Sequence, residues 1–146
     1  MIFFKFFYRR SARELVNESG CELDHPTATK FRAAILDGNW DAANDLLTKL
    51  RPFTPSTKSF YLMRYWILEQ KFLEALEDRR NLEALHCLKR EIVPLNFRKK
   101  KVTELCHYFM LNSIEELRDT AHWLGKGQAS RTLLLSKVQS EYLILG

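Results

Sequence analysis

Residues Ser56 to Glu77 read STKSFYLMRYWILEQKFLEALE, and the first half of that stretch decides the fold. From Phe60 to Leu68, apolar residues fall on nearly every face of a helix: Phe60, Tyr61, Leu62, Met63, Tyr65, Trp66, Ile67 and Leu68. A helix that is apolar all round is packed between others, so the stretch predicts a long central helix with neighbours on several sides. Its second half narrows to Phe72, Leu73 and Leu76. Arg64 and Glu69 interrupt the apolar run well short of the length needed to span a bilayer.

Toward the N-terminus, a helix starting at Asn39 carries Trp40, Ala43, Leu46, Leu47 and Leu50 on one face and ends before Pro52. Before it, Pro26 suits a first helical position, and Phe31, Ile35 and Leu36 recur at helical spacing until Gly38 breaks the run. Further upstream, Ser11 and Glu14 have capping-box spacing and predict a short helix to about Ser19 that stops at Gly20. Toward the C-terminus, a turn at Asp78 to Arg80 leads into a helix with Leu82, Leu85, Leu88 and Ile92, ending at Pro94. Three more helices are predicted, at Arg98 to Leu111, Ser113 to Leu124 and Gln128 to Leu143. Ser113 and Glu116 form a second capping box, and Gly125 and Gly127 separate the last two helices.

The stretches Ile35 to Ala43 and Ala75 to Leu85 look alike. Each is a helix end, an acidic or polar turn, then an apolar residue, an acid and an alanine, and small alanines let two antiparallel helices approach closely. That is the signature of a repeated helical hairpin. The expected fold is therefore all-α, with helical hairpins packed as a short α-solenoid or bundle. Composition agrees, because 23 Leu against four Val favour helix over strand and exclude an all-β sandwich or barrel. A chain of 146 residues fits one domain with its own core, which excludes a multidomain enzyme.

The net charge of +5 is uneven. Lys89 to Lys101 holds six basic residues against Glu91, and the first thirteen residues carry four more basic residues with no acid. A nucleic-acid binder needs phosphate contacts along a whole face, so no direct nucleic-acid partner is expected. Cys21, Cys87 and Cys106 are odd in number and lack close spacing, which argues against a secreted disulfide framework. The apolar opening Ile2 to Tyr8 is interrupted by Lys5 and has no small-residue cleavage site after it, so it does not read as a signal peptide. These features predict a soluble intracellular protein with no membrane partner.

No catalytic constellation is legible. His86-Cys87 and Cys106-His107 offer the ligand types of zinc, but adjacent helical residues point about 100° apart and aim poorly at one ion. No Ser or Cys sits in a nucleophile elbow, and Gly125-Lys126-Gly127 lacks the remaining residues of a phosphate-binding loop. No catalytic, cofactor-binding or metal-ligating residue is assigned, and no cofactor is expected. Trp40, Trp66 and Trp123 read as core residues. Arg98 to Lys101 places four positive charges at a predicted helix start, against the macrodipole. Either the helix begins later or a partner compensates; a nuclear-localisation-like patch, an acidic partner and a solvated face all fit such a run.

Several stretches carry a more specific likeness. Glu18 to Cys21, His25-Pro26-Thr27-Ala28-Thr29-Lys30-Phe31-Arg32 and Gly38-Asn39-Trp40-Asp41 resemble the junction of a LisH motif with a CTLH domain. Phe72 to Asp78 and Leu82 to Leu85, with Glu91, Pro94 and Leu95, resemble the following CRA segment. Trp123 to Arg131 resembles its end in the branch of WD repeat-containing protein 26-like subunits of the GID/CTLH E3 ubiquitin ligase. The resemblance covers about residues 11 to 143 and divides the chain into an atypical segment 1–10, a partial LisH motif 11–23, a CTLH domain 24–83 and a CRA-like region 84–146. Met1 to Arg10 replaces the first LisH helix with an aromatic and basic sequence.

The resemblance implies a non-catalytic interaction and oligomerisation module, a scaffold subunit or a fragment of one. Its implied partners are other LisH-CTLH and RING subunits of a ubiquitin ligase, with a homodimer possible through LisH. Leu15 and Val16 on the remaining LisH helix are the interface candidates. The alternative is a Topless-type corepressor module, whose LisH and CTLH helices grip short amphipathic repressor peptides in a groove.

Overall fold

Three of the helices among the described residues begin where a short polar side chain satisfies a backbone donor that has no partner inside the helix. Asn39 Oδ1 accepts from the Ala42 N–H (3.3 Å), Ser56 Oγ from Ser59 (3.1 Å) and Ser113 Oγ from Glu116 (3.1 Å). The second capping box is formed with one change: Glu116 Oε1 accepts from the Asn112 N–H (2.8 Å), one residue before the cap. The computed structural model describes residues 26–143, and among these it contains α1 (Pro26–Asp37), α2 (Trp40–Lys49), α3 (Thr57–Glu77), α4 (Asn81–Cys87), α5 (Lys99–His107), α6 (Ile114–Ala121) and α7 (Gln128–Leu143), with no strand. The chain is all-α, as expected. Segment 1–10, the partial LisH motif 11–23, and Leu15 and Val16 lie outside the described residues.

The two similar stretches are copies of one hairpin, in a register the sequence left uneven. Phe31, Ala34, Ala43 and Leu47 are buried in the first copy, and Phe72, Ala75, Ala84 and Leu88 are buried 41 residues on in the second. Each copy turns through a left-handed residue, Gly38 (φ 75°) and Arg79 (φ 63°). In each, the next N–H reaches back to close the helix end: Asn39 to the Ala34 carbonyl (2.9 Å) and Arg80 to the Ala75 carbonyl (2.8 Å). The constant spacing pairs Ala43 with Ala84, both fully buried.

Two apolar cores are strung along α3, whose 21 residues extend about 31 Å. The first gathers Phe31, Ile35, Trp40, Leu47 and Leu50 of the first hairpin, Phe60, Met63 and Ile67 of α3, and Leu134 and Val138 of α7. The second gathers Tyr65, Leu68, Phe72 and Leu73 of α3 with Ala84, Cys87, Leu88, Ile92, Leu105, Tyr108 and Leu117. Trp66 packs against both. This is why Phe60 to Leu68 is apolar on nearly every face. Burial of side chains such as Ile35, Met63 and Ile67 stabilises by about 1.5–3 kcal/mol each.

A polar clasp joins α7 to α3 and α1. Glu74, 2 % exposed, accepts from Arg131 Nε (2.9 Å) and Nη2 (2.8 Å). Gln70 donates to Glu74 and to Ser130 Oγ (both 2.9 Å) and accepts from Trp123 Nε1 (3.1 Å), while Ser130 donates to the Gly125 carbonyl (2.6 Å). Arg131 and Gln128 also donate to the Leu36 carbonyl, one of those left open at the end of α1. At the rim, Arg118 and the Lys126 N–H hold Glu77. Lys126 and Arg80 hold Asp78 below the usual carboxylate range. Trp123 to Arg131, the stretch with the specific likeness, is thus a structural lock. It places α7 back on the first hairpin.

Candidate interaction surface

The apolar residues of the stretch 82–92 divide between core and surface. Ala84, Cys87, Leu88 and Ile92 turn inward, whereas Leu82 is 83 % exposed and Leu85 41 %. The repeat sharpens the division. Positions 41 residues earlier are the exposed Asp41 and the half-buried Asn44, so Leu82 and Leu85 are leucines at positions that are polar in the first copy. The second helix of the hairpin buries only the side that carries Ala84, Cys87 and Leu88.

The expected continuous helix to Pro94 is corrected. After Cys87 the backbone widens into a π-helical turn at Leu88–Ile92, with the Val93 N–H bonding to the Leu88 carbonyl, and then tightens to a 3-10 turn at Val93–Leu95. Pro94 has no N–H for the Arg90 carbonyl, so the regular ladder ends upstream of it. Val93 is exposed on this irregular stretch. The helices expected to reach Leu111 and Leu124 are likewise shorter. The first passes into a 3-10 turn at Tyr108–Met110, and the second ends at Ala121, capped by His122 in the left-handed region.

Beside α4 lies a groove of about 70 Å³, walled by Leu76, Tyr108, Phe109, Leu111, Ile114 and Leu117. Arg79, Asn81, Asn112 and Ser113 supply its polar edge. A second cavity, of about 180 Å³, lies by Gly38 and Trp40 and holds Lys71, Arg80, Lys126 and Arg131. Its cations are already paired: Lys71 with Asp41 and Glu91, Arg80 with Asp78 and Glu83, Lys126 with Asp78, and Arg131 with Glu74. Both spaces are below the size of an ordinary small-molecule pocket.

The chemistry-bearing residues are spread apart. Cys87 is buried, its thiol pushed up to about 12 by desolvation, and it faces the Leu68 carbonyl at 3.6 Å. Cys106, His86 and His107 are exposed. Among the described residues no three His, Cys, Asp or Glu side chains are grouped to hold a metal, and no helix is long and apolar enough to cross a membrane. Trp40 is buried, and Trp66 and Trp123 are half-buried. The basic run does sit at the start of α5: the helix begins at Lys99, and Arg98 gives no side-chain cap. Lys101 is drawn to Glu69 and Glu104.

Residues 27–143 match a family described as the TPR1-like, CTLH-containing domain. Over 133 residues the chain is 40% identical to the WD repeat-containing protein 26 homolog of Drosophila melanogaster, a match covering 90% of this chain and 21% of that protein. Over 134 residues it is 30% identical to the Arabidopsis thaliana homolog, covering 91% and 22%. A WD repeat-containing protein of Dictyostelium discoideum is 28% identical over 132 residues, covering 90% and 21%. The chain thus spans about one fifth of the length of the relatives it matches. No solved structure matches it.

Proposed function

The chain belongs to the TPR1-like, CTLH-containing domain family, and from that premise we propose that it is a non-catalytic scaffold of a GID/CTLH-type E3 ubiquitin ligase, working in the cytoplasm and nucleus. In this reading it joins other LisH-CTLH subunits to the RING subunits through helix faces. A CTLH-containing domain of this kind is a protein-interaction module, and the similarity to WD repeat-containing protein 26 homologs supports the ligase assignment. The observation that carries the reading is the pair Leu82 and Leu85, apolar at positions that are polar in the first copy of the hairpin. Exposed apolar side chains gathered on one short helix mark a surface that gains free energy when a partner covers it.

The test is to tag the chain, purify it gently from its own cells, and identify by mass spectrometry what accompanies it. RING and LisH-CTLH subunits are expected; their absence from soluble, folded protein would overturn the ligase reading. A Leu82→Asp/Leu85→Asp variant should lose these partners while melting within a few degrees of the parent. Leu15→Asp tests Leu15 and Val16 as a separate dimer contact: sedimentation of a monomer in place of a dimer is the expected result, and unchanged assembly removes them from the interface.

The groove between Leu76, Phe109 and Leu117 favours a second reading, a corepressor-type module that seats a short amphipathic peptide. Titration with a short hydrophobic repressor peptide separates the two. Saturable binding that perturbs Phe109 would favour the groove, and no binding would remove this reading.

A further inference from the structure

Three cations from the neighbourhood of α5 and from α7 converge on the aromatic side of α3. The Arg98 guanidinium lies over the rings of Tyr65 (5.6 Å to the centroid) and Phe97 (5.9 Å). The Lys137 ammonium, from α7, lies over the ring of Trp66 (4.7 Å). Lys101 stands 3.9 Å from Glu69 and 3.2 Å from Glu104, and the Tyr65 hydroxyl donates to Glu69 (3.0 Å). Rings hold Arg98 and Lys137 in place, because a cation is attracted to the negative face of the π system. The cationic heads are therefore gathered by the fold.

That gathering is self-repelling. Lys137 is held below its ordinary pKa by burial first, with Arg98 and Lys101 adding to the effect and Glu69 opposing it. Lys99 and Lys100 stand exposed in the same first turn of α5, so five cations share this region with two carboxylates, Glu69 and Glu104. The start of a helix already carries partial positive charge, and α5 has neither an acidic residue in its first turn nor a side-chain cap. An approaching anion relieves all of these repulsions at once.

We propose that Arg98, Lys99, Lys100, Lys101 and Lys137 form a docking surface for an acidic, carboxylate-rich segment of a partner protein. Charge complementarity selects the partner. Outside Lys89 to Lys101, the described residues balance to neutrality, so their excess positive charge is carried by that segment and not by residues spread along the chain. The rings of Tyr65 and Trp66 are covered by cations and are closed to the base stacking that single strands use. The spot already accommodates carboxylates, since Lys101 faces two of them. The inference stands independently of the ligase reading, because it uses neither α4 nor the identity of any subunit.

The probe is a fluorescently labelled decaglutamate peptide, titrated into the full 146-residue chain and followed by anisotropy at low and at physiological salt. Lys137→Gln and Lys99→Gln/Lys100→Gln should each weaken binding about three- to fivefold, with a melting temperature unchanged or raised. Controls at Lys49→Gln and at Lys5→Gln/Arg9→Gln should change it less than about twofold. Three outcomes would overturn the proposal: variants of the spot that bind like the parent, loss that follows only the Lys5/Arg9 control, or a single-stranded oligonucleotide of ten phosphates that binds more tightly than the peptide.

Discussion

The two cores on α3 are closed by different kinds of helix. Around the N-terminal half, α1, α2 and α7 run ten residues or more, and each contributes buried apolar side chains to the first core. Around the C-terminal half, α4 and α6 are short, and the segments between α4 and α6 pass through π and 3-10 turns. Large apolar side chains left outside follow that division. Leu82, Leu85, Val93, Met110 and Leu124 belong to the second half, against Phe53 and Leu133 for the first. A long amphipathic helix can bury its whole stripe, whereas a short one that changes pitch turns some apolar residues outward. One half thus closes most of its apolar surface, and the other leaves more of it outside.

The clasp is where the two halves meet, and breaking it is the most severe test of that division. Arg131→Met keeps the volume near Trp40 but leaves Glu74 buried without its cation, at a cost of about 3–5 kcal/mol. Because Glu74 lies at the C-terminal end of α3 and Arg131 on a helix of the first core, both halves should lose stability together. Denaturant unfolding followed by near-ultraviolet and far-ultraviolet signals checks this. A loss below about 1 kcal/mol would show that Arg131 is replaceable by solvent, in the manner of a surface ion pair.

A smaller effect is expected at the turn of the first hairpin. Gly38 has φ 75°, and a Cβ there would stand 2.5 Å from Arg131 Nη2. Gly38→Ala therefore combines left-handed strain with displacement of a guanidinium that Glu74 fixes, and about 2 kcal/mol should be lost in thermal or denaturant unfolding. If Gly38→Ala and Arg131→Met together cost no more than Arg131→Met and the backbone strain alone, the contact between them is the shared element. Simple additivity of the two full effects would separate the turn from the clasp.

Much of this architecture was legible in local patterns. The run from Phe60 to Leu68, the caps Asn39, Ser56 and Ser113, and the breaks at Gly38 and Pro52 act within a few residues, so the sequence exposes them directly. The repeat was visible but its register was not, because Arg79 stands where the first copy has glycine and hides the equivalent turn. The exposure of Leu82 and Leu85 was not legible, since periodicity lists the apolar residues of a helix but not the width of the neighbour that covers them. The clasp's contacts between helices join residues 53 to 95 positions apart, from Gln70 with Trp123 to Leu36 with Arg131, and no local pattern signals such a meeting. Likewise the basic run at Arg98 to Lys101 was plain, while Lys137 joins it only through the return of α7 to α3.

The smallest and most discriminating change concerns the same turn in the second copy. Arg79 occupies the position of Gly38 with φ 63°, where a side chain costs about 1–2 kcal/mol relative to glycine. Arg79→Gly removes that strain but adds freedom to the unfolded chain, which takes back about 0.4–1 kcal/mol, so a net gain of about 0.5–1 kcal/mol is expected. Arg79 is exposed on the edge of the groove, and the Arg80 N–H would still close the helix end on the Ala75 carbonyl. The opposite signs of Gly38→Ala and Arg79→Gly would establish the two turns as equivalent positions of one repeated hairpin. A loss of stability in Arg79→Gly would instead mean that the arginine side chain makes a contact that outweighs the strain, and that the second turn has been adapted to the surface beside it.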